Sequence, residues 1–413
     1  MADHKNTSSQ LLHLDRKKNI EHGALHQPTH NSIAYGFKHS KDLAHVFQNK
    51  LKGYAYGRAS NPTVSALEDK ISLLEDAIAT CCFATGMAAI AATMLSLLRA
   101  GDHFISSSFI FGNTNSLFNT FAELGIEVTF VDATDVNNID AAKQKNTKAV
   151  FVETIANPRT QISDLENIGN YCEQHKLLYI VDNTMTTPAL FKPKAVKAGL
   201  VINSLSKYIA GHGNALGGSV TDCGYYDWNQ FSNIYDIYKK KDSQLWGILQ
   251  IRKKGLRDMG GSLSAEMAHH IAVGAETLSL RINQSSQNAL QLAEYLSKQD
   301  KINKVYFPGL TDHPQHKLAS KLFLGYSSLI SIELDESIDC FEFLDQLKFV
   351  VVATNLGDNR TLALPVAHTI YYEMGIKRRQ SMGIAEGLIR LSIGIEDYAD
   401  LQADFEQAFA SFN

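Results

Sequence analysis

Cysteine is scarce in this chain, with five residues among 413. Their number is odd, no two of them form a CxxC pair, and their spacing does not match a zinc site. The pattern therefore argues against a disulfide framework or a zinc centre, and we expect reduced thiols of a cytoplasmic protein. The five residues are Cys81, Cys82, Cys172, Cys223 and Cys340.

A strong charge imbalance is also missing, since 39 Lys and Arg residues face 43 Asp and Glu residues and the net charge is -4. The chain shows no domain-sized basic excess and no interleaving of aromatic and basic residues, which a nucleic-acid-binding surface would need. The first residues, Met1 to Gln10, are polar and lack the apolar run of a secretory signal. We expect no nucleic acid and no membrane among the partners.

One uncharged stretch, Ala77 to Leu98, is long enough to cross a bilayer. Its threonines and many alanines make it only weakly apolar. We therefore predict a buried strand followed by a buried helix at this position.

The polar first 50 residues hold seven of the 15 histidines. His22, His26 and His30 have helical spacing, as a metal site on a helix would require, but Gly23 and Pro28 interrupt any helix that would align them. We expect solvated histidines on an irregular arm and no metal site.

From about residue 61 to residue 256, short β-branched runs alternate with longer stretches of helical periodicity, such as Ser116 to Leu124 and Leu165 to Gln174. This alternation predicts an α/β fold with a mostly parallel sheet, covered on both faces, that binds ligands at the carboxyl ends of its strands. A long helical stretch from Ala265 to Leu296 and later strands near Ser327 to Leu334 and Leu388 to Ile393 predict a smaller second α/β domain. The candidate strands of the first sheet are 104–106, 128–131, 149–153, 177–181 and 200–202.

Lys207 follows the last of these strands, in the run Ser204-Leu205-Ser206-Lys207-Tyr208. A lysine desolvated at a strand end loses its proton more easily and becomes a nucleophile towards an aldehyde, and the two serine hydroxyls suit a phosphate. Taken alone the pattern is weak, because most lysines are solvated surface charges.

Two further segments fit the same ligand. Asp182 ends the apolar run that starts at Leu177, where it would either cap a helix or keep a cofactor pyridine nitrogen protonated. The small-residue turn around Gly86 and Met87 would either pack tightly or offer backbone N–H groups to a phosphate.

These segments together resemble the Cys/Met-metabolism enzymes that depend on pyridoxal phosphate, a family of cystathionine γ-synthases and γ-lyases, methionine γ-lyases and O-acylhomoserine sulfhydrylases. The resemblance runs in order from about residue 50 to residue 400. It rests on the segments 54–63, 85–87, 153–158, 181–184, 204–208 and 390–397.

The resemblance implies the type I pyridoxal-phosphate transferase fold, like that of aspartate aminotransferase, and a homotetramer built as a dimer of dimers. It implies an arm over residues 1–60 that reaches the neighbouring subunit, a cofactor-binding large domain over 61–257 and a small domain over 258–413. Lys207 would be the Schiff-base lysine and proton shuttle, Asp182 the partner of the pyridine nitrogen and Arg390 the two-pronged clamp for the substrate carboxylate. The other implied cofactor contacts are Gly86, Met87, Asn157, Thr184, Ser204 and Ser206 from the same chain, and Tyr56 and Arg58 from a neighbouring subunit.

The chain departs from the family at Phe111, where members usually place a tyrosine over the cofactor ring. The ring can still stack, but the phenol that would protonate a departing thiolate is missing. Because the pKa of a thiol is about 8.5 and that of a carboxylic acid about 4.3, an ester carboxylate leaves more easily by on the order of 5 kcal/mol. We therefore expect γ-replacement on an O-acylhomoserine by a sulfide or thiol.

Two other positions bear on specificity. Asn355 resembles the substrate-binding loop of sulfhydrylases, and Asn113 stands where methionine γ-lyases tend to carry a cysteine. The segment 364–369 matches the family's usual His-Pro-Ala-Ser run poorly, so a γ-lyase that releases 2-oxobutanoate and ammonia stays the alternative. The acyl group and the thiol donor stay open.

Three unrelated functions also fit parts of the sequence. Ser204 and Lys207 also match the Ser-x-x-Lys of penicillin-binding proteins, but the Lys-Thr-Gly and Ser-Asp-Asn tripeptides of that family do not occur. The glycines after Lys207 have the wrong spacing for a nicotinamide site. A non-catalytic binding protein is the third reading.

Overall fold

The computed structural model describes residues 6–18, 20–239 and 242–412 and contains two β-sheets. The first has seven strands in the order β1-β7-β6-β5-β4-β2-β3. The second has five, in the order β10-β11-β12-β9-β8. The strands are β1 Ala79–Phe83, β2 His103–Ser107, β3 Glu127–Val131, β4 Thr147–Glu153, β5 Leu178–Asp182, β6 Leu200–Asn203, β7 Gly218–Asp222, β8 Ile302–Tyr306, β9 Leu329–Leu334, β10 Val351–Val352, β11 Leu362–Pro365 and β12 Leu388–Ser392.

Helices surround both sheets. Along the chain, an eight-residue π-helix, Ile251–Asp258, follows the last strand of the first sheet and precedes the first strand of the second. The α-helices are α1 Thr7–Leu12, α2 Ser40–Phe47, α3 Pro62–Glu75, α4 Gly86–Leu97, α5 Gly112–Glu123, α6 Val136–Ala142, α7 Leu165–His175, α8 Thr187–Leu190, α9 Trp246–Gln250, α10 Ala265–Glu276, α11 Leu278–Leu296, α12 His316–Leu322, α13 Cys340–Gln346, α14 Ile376–Ser381 and α15 Tyr398–Ala410.

The large sheet is parallel from β3 through β6, as the alternation of strands and helices predicts. Both of its faces are buried: along β4, Val150 and Val152 belong to one core cluster while Phe151 belongs to the other. A sheet covered on both faces needs apolar residues at every position, which explains the continuous apolar runs of its strands.

Two parts of the predicted pattern need correction. The sequence does not predict β7, which is antiparallel to β1 and β6, because its first residues, Gly218 and Ser219, carry almost no apolar surface. The stretch from Ala265 to Leu296 is two helices, with a break at Thr277. The Thr277 hydroxyl donates a hydrogen bond to the backbone oxygen of Gly274, an alternative to regular helix bonding. The domain bounds at 60 and 257 stay a prediction.

The uncharged stretch from Ala77 to Leu98 forms β1 and α4, so the predicted strand and helix are confirmed. Within the described ranges, no helix is both long enough and apolar enough to cross a membrane. All five cysteines are buried free thiols.

The N-terminal segment docks against α3 and α10 through a buried ammonium group. Lys70 Nζ lies 3.0 Å from Asp15 Oδ2 and 2.9 Å from Glu276 Oε1, and only 1% of the lysine side chain is exposed. His26 Nδ1 lies 3.4 Å from Glu276 Oε1. Asp15, His26 and Glu276 are close enough together to hold a metal ion, but the ammonium already neutralises both carboxylates.

Replacing this lysine gives a stability test. We expect Lys70→Met to lower the free energy of unfolding by about 3–5 kcal/mol, because it leaves two acidic groups at a buried site without their cation. The measurement is urea unfolding at pH 7. The matched control is Lys194→Met, which removes an exposed pair with Asp76 at 3.2 Å and should cost about 1 kcal/mol or less. Equal losses in the two variants would contradict the analysis.

Candidate active site

A cavity of about 390 Å³ lies at the carboxyl ends of β4, β5 and β6, next to the N-terminus of α4. It brings together eleven of the thirteen side chains or turns that the sequence analysis singles out. The lining residues are Thr85, Gly86, Met87, Ile90, Phe111, Thr114, Glu153, Asn157, Asp182, Thr184, Met185, Ser204, Ser206, Lys207, Leu216, Thr354, Asn355, Leu356, Ile370 and Arg390.

Lys207 lies in the turn that follows β6, and its Nζ donates a 2.6 Å hydrogen bond to Asn355 Oδ1. Burial, helped by the nearby positive charge of Arg390, lowers the pKa of Lys207 to about 8. The neutral amine is therefore available near physiological pH, which a nucleophile towards an aldehyde requires.

Asp182 and Glu153 end neighbouring parallel strands and are paired in register. Burial raises the pKa of both carboxyl groups, and the charge of Asp182 raises that of Glu153 further. The backbone N–H of Thr184 donates to Asp182 Oδ1 at 3.0 Å and partly opposes the rise. A fixed cation beside Asp182, such as a protonated pyridine nitrogen, would favour its ionised form.

The turn before α4 packs closely against Ser204 and against Gly218 of β7. A Cβ added at Gly86 would lie 3.0 Å from Ser204 Cβ, and one added at Gly218 would lie 2.3 Å from the backbone oxygen of Thr85. At Gly218 only glycine fits this close approach, and at Gly86 a larger residue would be crowded. Gly86 and Met87, the first residues of α4, line the cavity, and the N-terminus of a helix suits a phosphate. The hydroxyl of Ser206 already bonds the backbone of Gly217, accepting from its N–H at 2.9 Å and donating to its oxygen at 3.1 Å.

Arg390 enters the cavity from β12 of the second sheet and is 4% exposed. Its Nη2 donates to the backbone oxygen of Asn355 at 2.6 Å, and its Nη1 lies 3.5 Å from Asn157 Oδ1. Its Nε is buried and has no hydrogen-bond partner among the described residues. The guanidinium therefore has a donor left for a carboxylate. Desolvation lowers the pKa of Arg390 to about 10, so the group is still a cation at pH 7.

Tyr56 and Arg58 do not line this cavity. They line a second cavity of about 960 Å³, where the Arg58 guanidinium carbon lies 5.5 Å from the centre of the Tyr56 ring. The Arg58 guanidinium also donates to the backbone oxygen of Arg257. Within one chain these two side chains are therefore separate from Lys207.

Glu153 also lines the cavity, and the sequence assigns it no role. Its Oε1 accepts a 2.7 Å hydrogen bond from the backbone N–H of Phe111, and so it fixes the entry to α5. The available signal was its position at the end of a predicted parallel strand beside the strand of Asp182. Ile370, which directly follows the poorly matching segment 364–369, also lines the cavity.

The model of the Cys/Met metabolism PLP-dependent enzymes matches residues 8–410 of this chain. The chain belongs to this family. Its cofactor is therefore pyridoxal phosphate, as the sequence analysis predicted, and the predicted enzyme class and fold type are confirmed.

Individual members of the Cys/Met family resemble the chain along nearly its full length. An L-methionine gamma-lyase of Fusobacterium nucleatum is 35% identical over 400 residues, which cover 96% of each chain. An O-acetyl-L-homoserine sulfhydrylase of Corynebacterium glutamicum is 33% identical over 428 residues, which cover 99% of this chain and 98% of the relative.

A solved structure agrees with this fold. A protein of Campylobacter jejuni assigned as an O-acetylhomoserine (thiol)-lyase superposes with a TM-score of 0.92 and 30% identity, covering 98% of this chain and all of that one. That structure contains a lysine joined to the pyridoxyl group. In the present chain, the amine of Lys207, the carboxyl of Asp182 and the glycine turn at Gly86 fit such a cofactor.

The lowered pKa of Lys207 predicts how cofactor attachment depends on pH. When apoenzyme is mixed with pyridoxal phosphate, the rate at which the visible absorbance forms should rise about tenfold per pH unit below pH 8 and level off above it, because only the neutral amine reacts. Arg390→Leu should move this profile to higher pH, since the charge of Arg390 helps lower that pKa. Lys207→Ala should form no such band. A profile centred near the ordinary lysine value would refute the assignment.

Proposed function

We propose that this enzyme catalyses γ-replacement on an O-acylhomoserine, with a sulfide or thiol as the incoming group and homocysteine or a related sulfur amino acid as the product. One observation carries the proposal: within the described ranges of one chain, no tyrosine, histidine or cysteine lines the cavity. The Tyr56 that a partner subunit would add is assigned to the phosphate and not to the departing group. An ester carboxylate can leave without a phenol to protonate it, whereas a thiolate leaves far less easily.

The buried phenols near Arg390, those of Tyr208 and Tyr371, are already engaged. Tyr371 is 1% exposed, and its hydroxyl donates a 2.8 Å hydrogen bond to the backbone oxygen of Asn157. Burial raises the pKa of this phenol. Phe111 takes the place over the cofactor ring, so the chain offers an apolar face there.

In this proposal the cavity residues divide the work of binding the cofactor, binding the substrate and moving protons. Pyridoxal phosphate supplies an electron-withdrawing ring, Asp182 keeps the ring nitrogen protonated, and Lys207 holds the cofactor covalently and moves protons at the α and β carbons. Arg390 binds the substrate carboxylate, and Asn355 holds both Arg390 and the freed amine of Lys207. The remaining cofactor contacts are those of Gly86, Met87, Phe111, Asn157, Thr184, Ser204 and Ser206.

The proposal includes a cytoplasmic homotetramer whose sites are completed across a dimer interface. In the single chain, Tyr56 and Arg58 lie beside an open cavity lined by exposed apolar side chains such as Phe47, which is 72% exposed. A second copy would cover this surface and bring Tyr56 and Arg58 of the partner subunit to the phosphate.

A γ-lyase is the second candidate. The methionine gamma-lyase of Fusobacterium nucleatum is as similar to this chain as the sulfhydrylases are, with 35% identity. Replacement and elimination share the first proton transfers and differ in whether a thiol or water completes the reaction.

A substrate panel separates the two candidates. O-Acetylhomoserine with sulfide should give homocysteine, and we expect its kcat/KM to exceed that of O-succinylhomoserine about tenfold or more. Lys207 and Arg390 are the cations that line the cavity in the described part of the chain, and both have tasks. Arg58 of the partner subunit is assigned to the phosphate, so the distal carboxylate of a succinyl group would be desolvated without a partner. Methionine and cystathionine, scored for 2-oxobutanoate, test the alternative. Fast turnover of methionine with no turnover of either ester would overturn the proposal.

Restoring the missing phenol tests the leaving-group argument itself. Phe111→Tyr should raise the rate with thioethers relative to O-acetylhomoserine about tenfold, since a positioned general acid is worth that much or more. Phe111→Leu, which removes the ring without adding a proton donor, is the control and should not shift the ratio. If the ratio is unchanged in Phe111→Tyr, another group supplies the proton.

A further inference from the structure

Glu75 is a fully buried acidic residue directly behind the active-site cavity that the proposed chemistry does not use. It is the last residue of α3. Its Oε1 accepts a 2.7 Å hydrogen bond from Asn203 Nδ2 and a 3.2 Å hydrogen bond from Asn183 Nδ2. Asn183 follows Asp182, and Asn203 precedes Ser204, so one carboxyl group joins the ends of β5 and β6.

Two further oxygen atoms beside these hydrogen bonds indicate the protonation state of Glu75. Glu75 Oε2 and Asn203 Oδ1 are both buried and have no hydrogen-bond partner among the described residues. Two buried acceptors without a donor are costly, and no cation forms an ion pair with Glu75 in the described ranges. A proton on Oε2 lowers this cost, because it turns one of the two acceptors into a donor while Oε1 still accepts from the amide nitrogen of Asn203.

We propose that Glu75 is a positioning residue that carries a proton in the folded enzyme below neutral pH and that, as a neutral acid, clamps the ends of β5 and β6 so that Asp182 and Lys207 face one cofactor. A direct ladder already pairs these strands from Ile180 to Asp182 with Leu200 to Ile202. The clamp extends this pairing by one residue, to the place where the strands end and the site residues begin.

The electrostatics of the surroundings agree with a neutral acid. Desolvation raises the pKa of Glu75 to about 7, and the two asparagine hydrogen bonds and the charge of Lys192 oppose this rise only in part. The buried thiol of Cys223 also interacts with Glu75, and its own pKa is raised by burial first and by Glu75 next. Neither Lys192 nor Cys223 forms an ion pair with Glu75 in the described ranges.

The pH dependence follows from the sign of this shift. A glutamate whose pKa is about 4.5 in the unfolded chain and about 7 in the folded one binds a proton on folding between those values. Its contribution to stability is therefore greatest below pH 4.5, falls as the pH rises to 7, and is constant above pH 7. Glutamine reproduces the neutral acid without titrating.

The experiment compares holoenzymes of wild type, Glu75→Gln, Glu75→Asp and Glu75→Ala. The matched control is Glu68→Gln on the same helix, because Glu68 is buried but pairs with Arg252 at 2.8 Å. We measure the unfolding equilibrium from pH 4.5 to pH 8.5 and the dissociation constant of pyridoxal phosphate for each protein.

We expect the folded-to-unfolded ratio of Glu75→Gln to gain on that of wild type by up to about tenfold per pH unit between pH 4.5 and pH 7, and to gain nothing above pH 7. Its cofactor affinity should stay within about twofold of wild type. Glu75→Ala, or Glu75→Asp if the alanine variant does not fold, should bind the cofactor about tenfold more weakly, because the strand ends lose their link. Glu68→Gln should be destabilised at every pH.

Two results would overturn the proposal. If Glu75→Gln is as damaged as Glu75→Ala at every pH, the site needs a carboxylate charge and not a neutral acid. If Glu75→Ala and Glu75→Asp both bind the cofactor as wild type does, Glu75 does not position the site. These measurements use no amino-acid substrate, so they stand apart from the test of γ-replacement.

Discussion

The carboxyl ends of three parallel strands meet at one edge of a sheet that is buried on both faces, and the chemistry of the protein depends on this constraint. Glu153 and Asp182 end β4 and β5, and Lys207 follows β6. Because this edge is largely removed from water, burial raises the pKa of the two carboxyl groups and lowers that of the amine. The fold thus produces a reactive amine and an acidic group that can share a proton with a ring nitrogen.

The second sheet completes the site by supplying groups that a single sheet cannot place there. Arg390 comes from β12, and Asn355 lies between β10 and β11. Asn355 has a backbone φ of 94°, in a region that asparagine tolerates better than most residues. In this conformation its side chain accepts from Lys207 while its backbone oxygen accepts from Arg390. One residue therefore links the nucleophile to the carboxylate clamp.

The sequence predicts the parts of this arrangement that are local. Continuous apolar runs identify the parallel strands, and chain order places Asp182 and Lys207 at their ends. The sequence does not predict β7, whose small residues show no apolar pattern, or the task of Glu153, because a strand-terminal glutamate also suits solvent. The bond between Lys207 and Asn355 joins residues 148 positions apart, so it depends on how the two sheets pack. The roles proposed for Tyr56 and Arg58 require a second chain, and within one chain both residues lie at a separate cavity.

Helix α3 connects the segment of Tyr56 and Arg58 to the strand ends at the active site. It begins directly after the segment of Tyr56 and Arg58, where Asn61 Oδ1 caps it by accepting from the N–H of Thr63 at 2.9 Å, and it ends at Glu75. At about 1.5 Å per residue, its 14 residues span roughly 20 Å. Its N-terminal end therefore carries the arm proposed to complete the partner's site, while its C-terminal end contacts the strands of its own site. One helix therefore connects the segment that carries Tyr56 and Arg58 to the strand ends that carry Asp182 and Lys207.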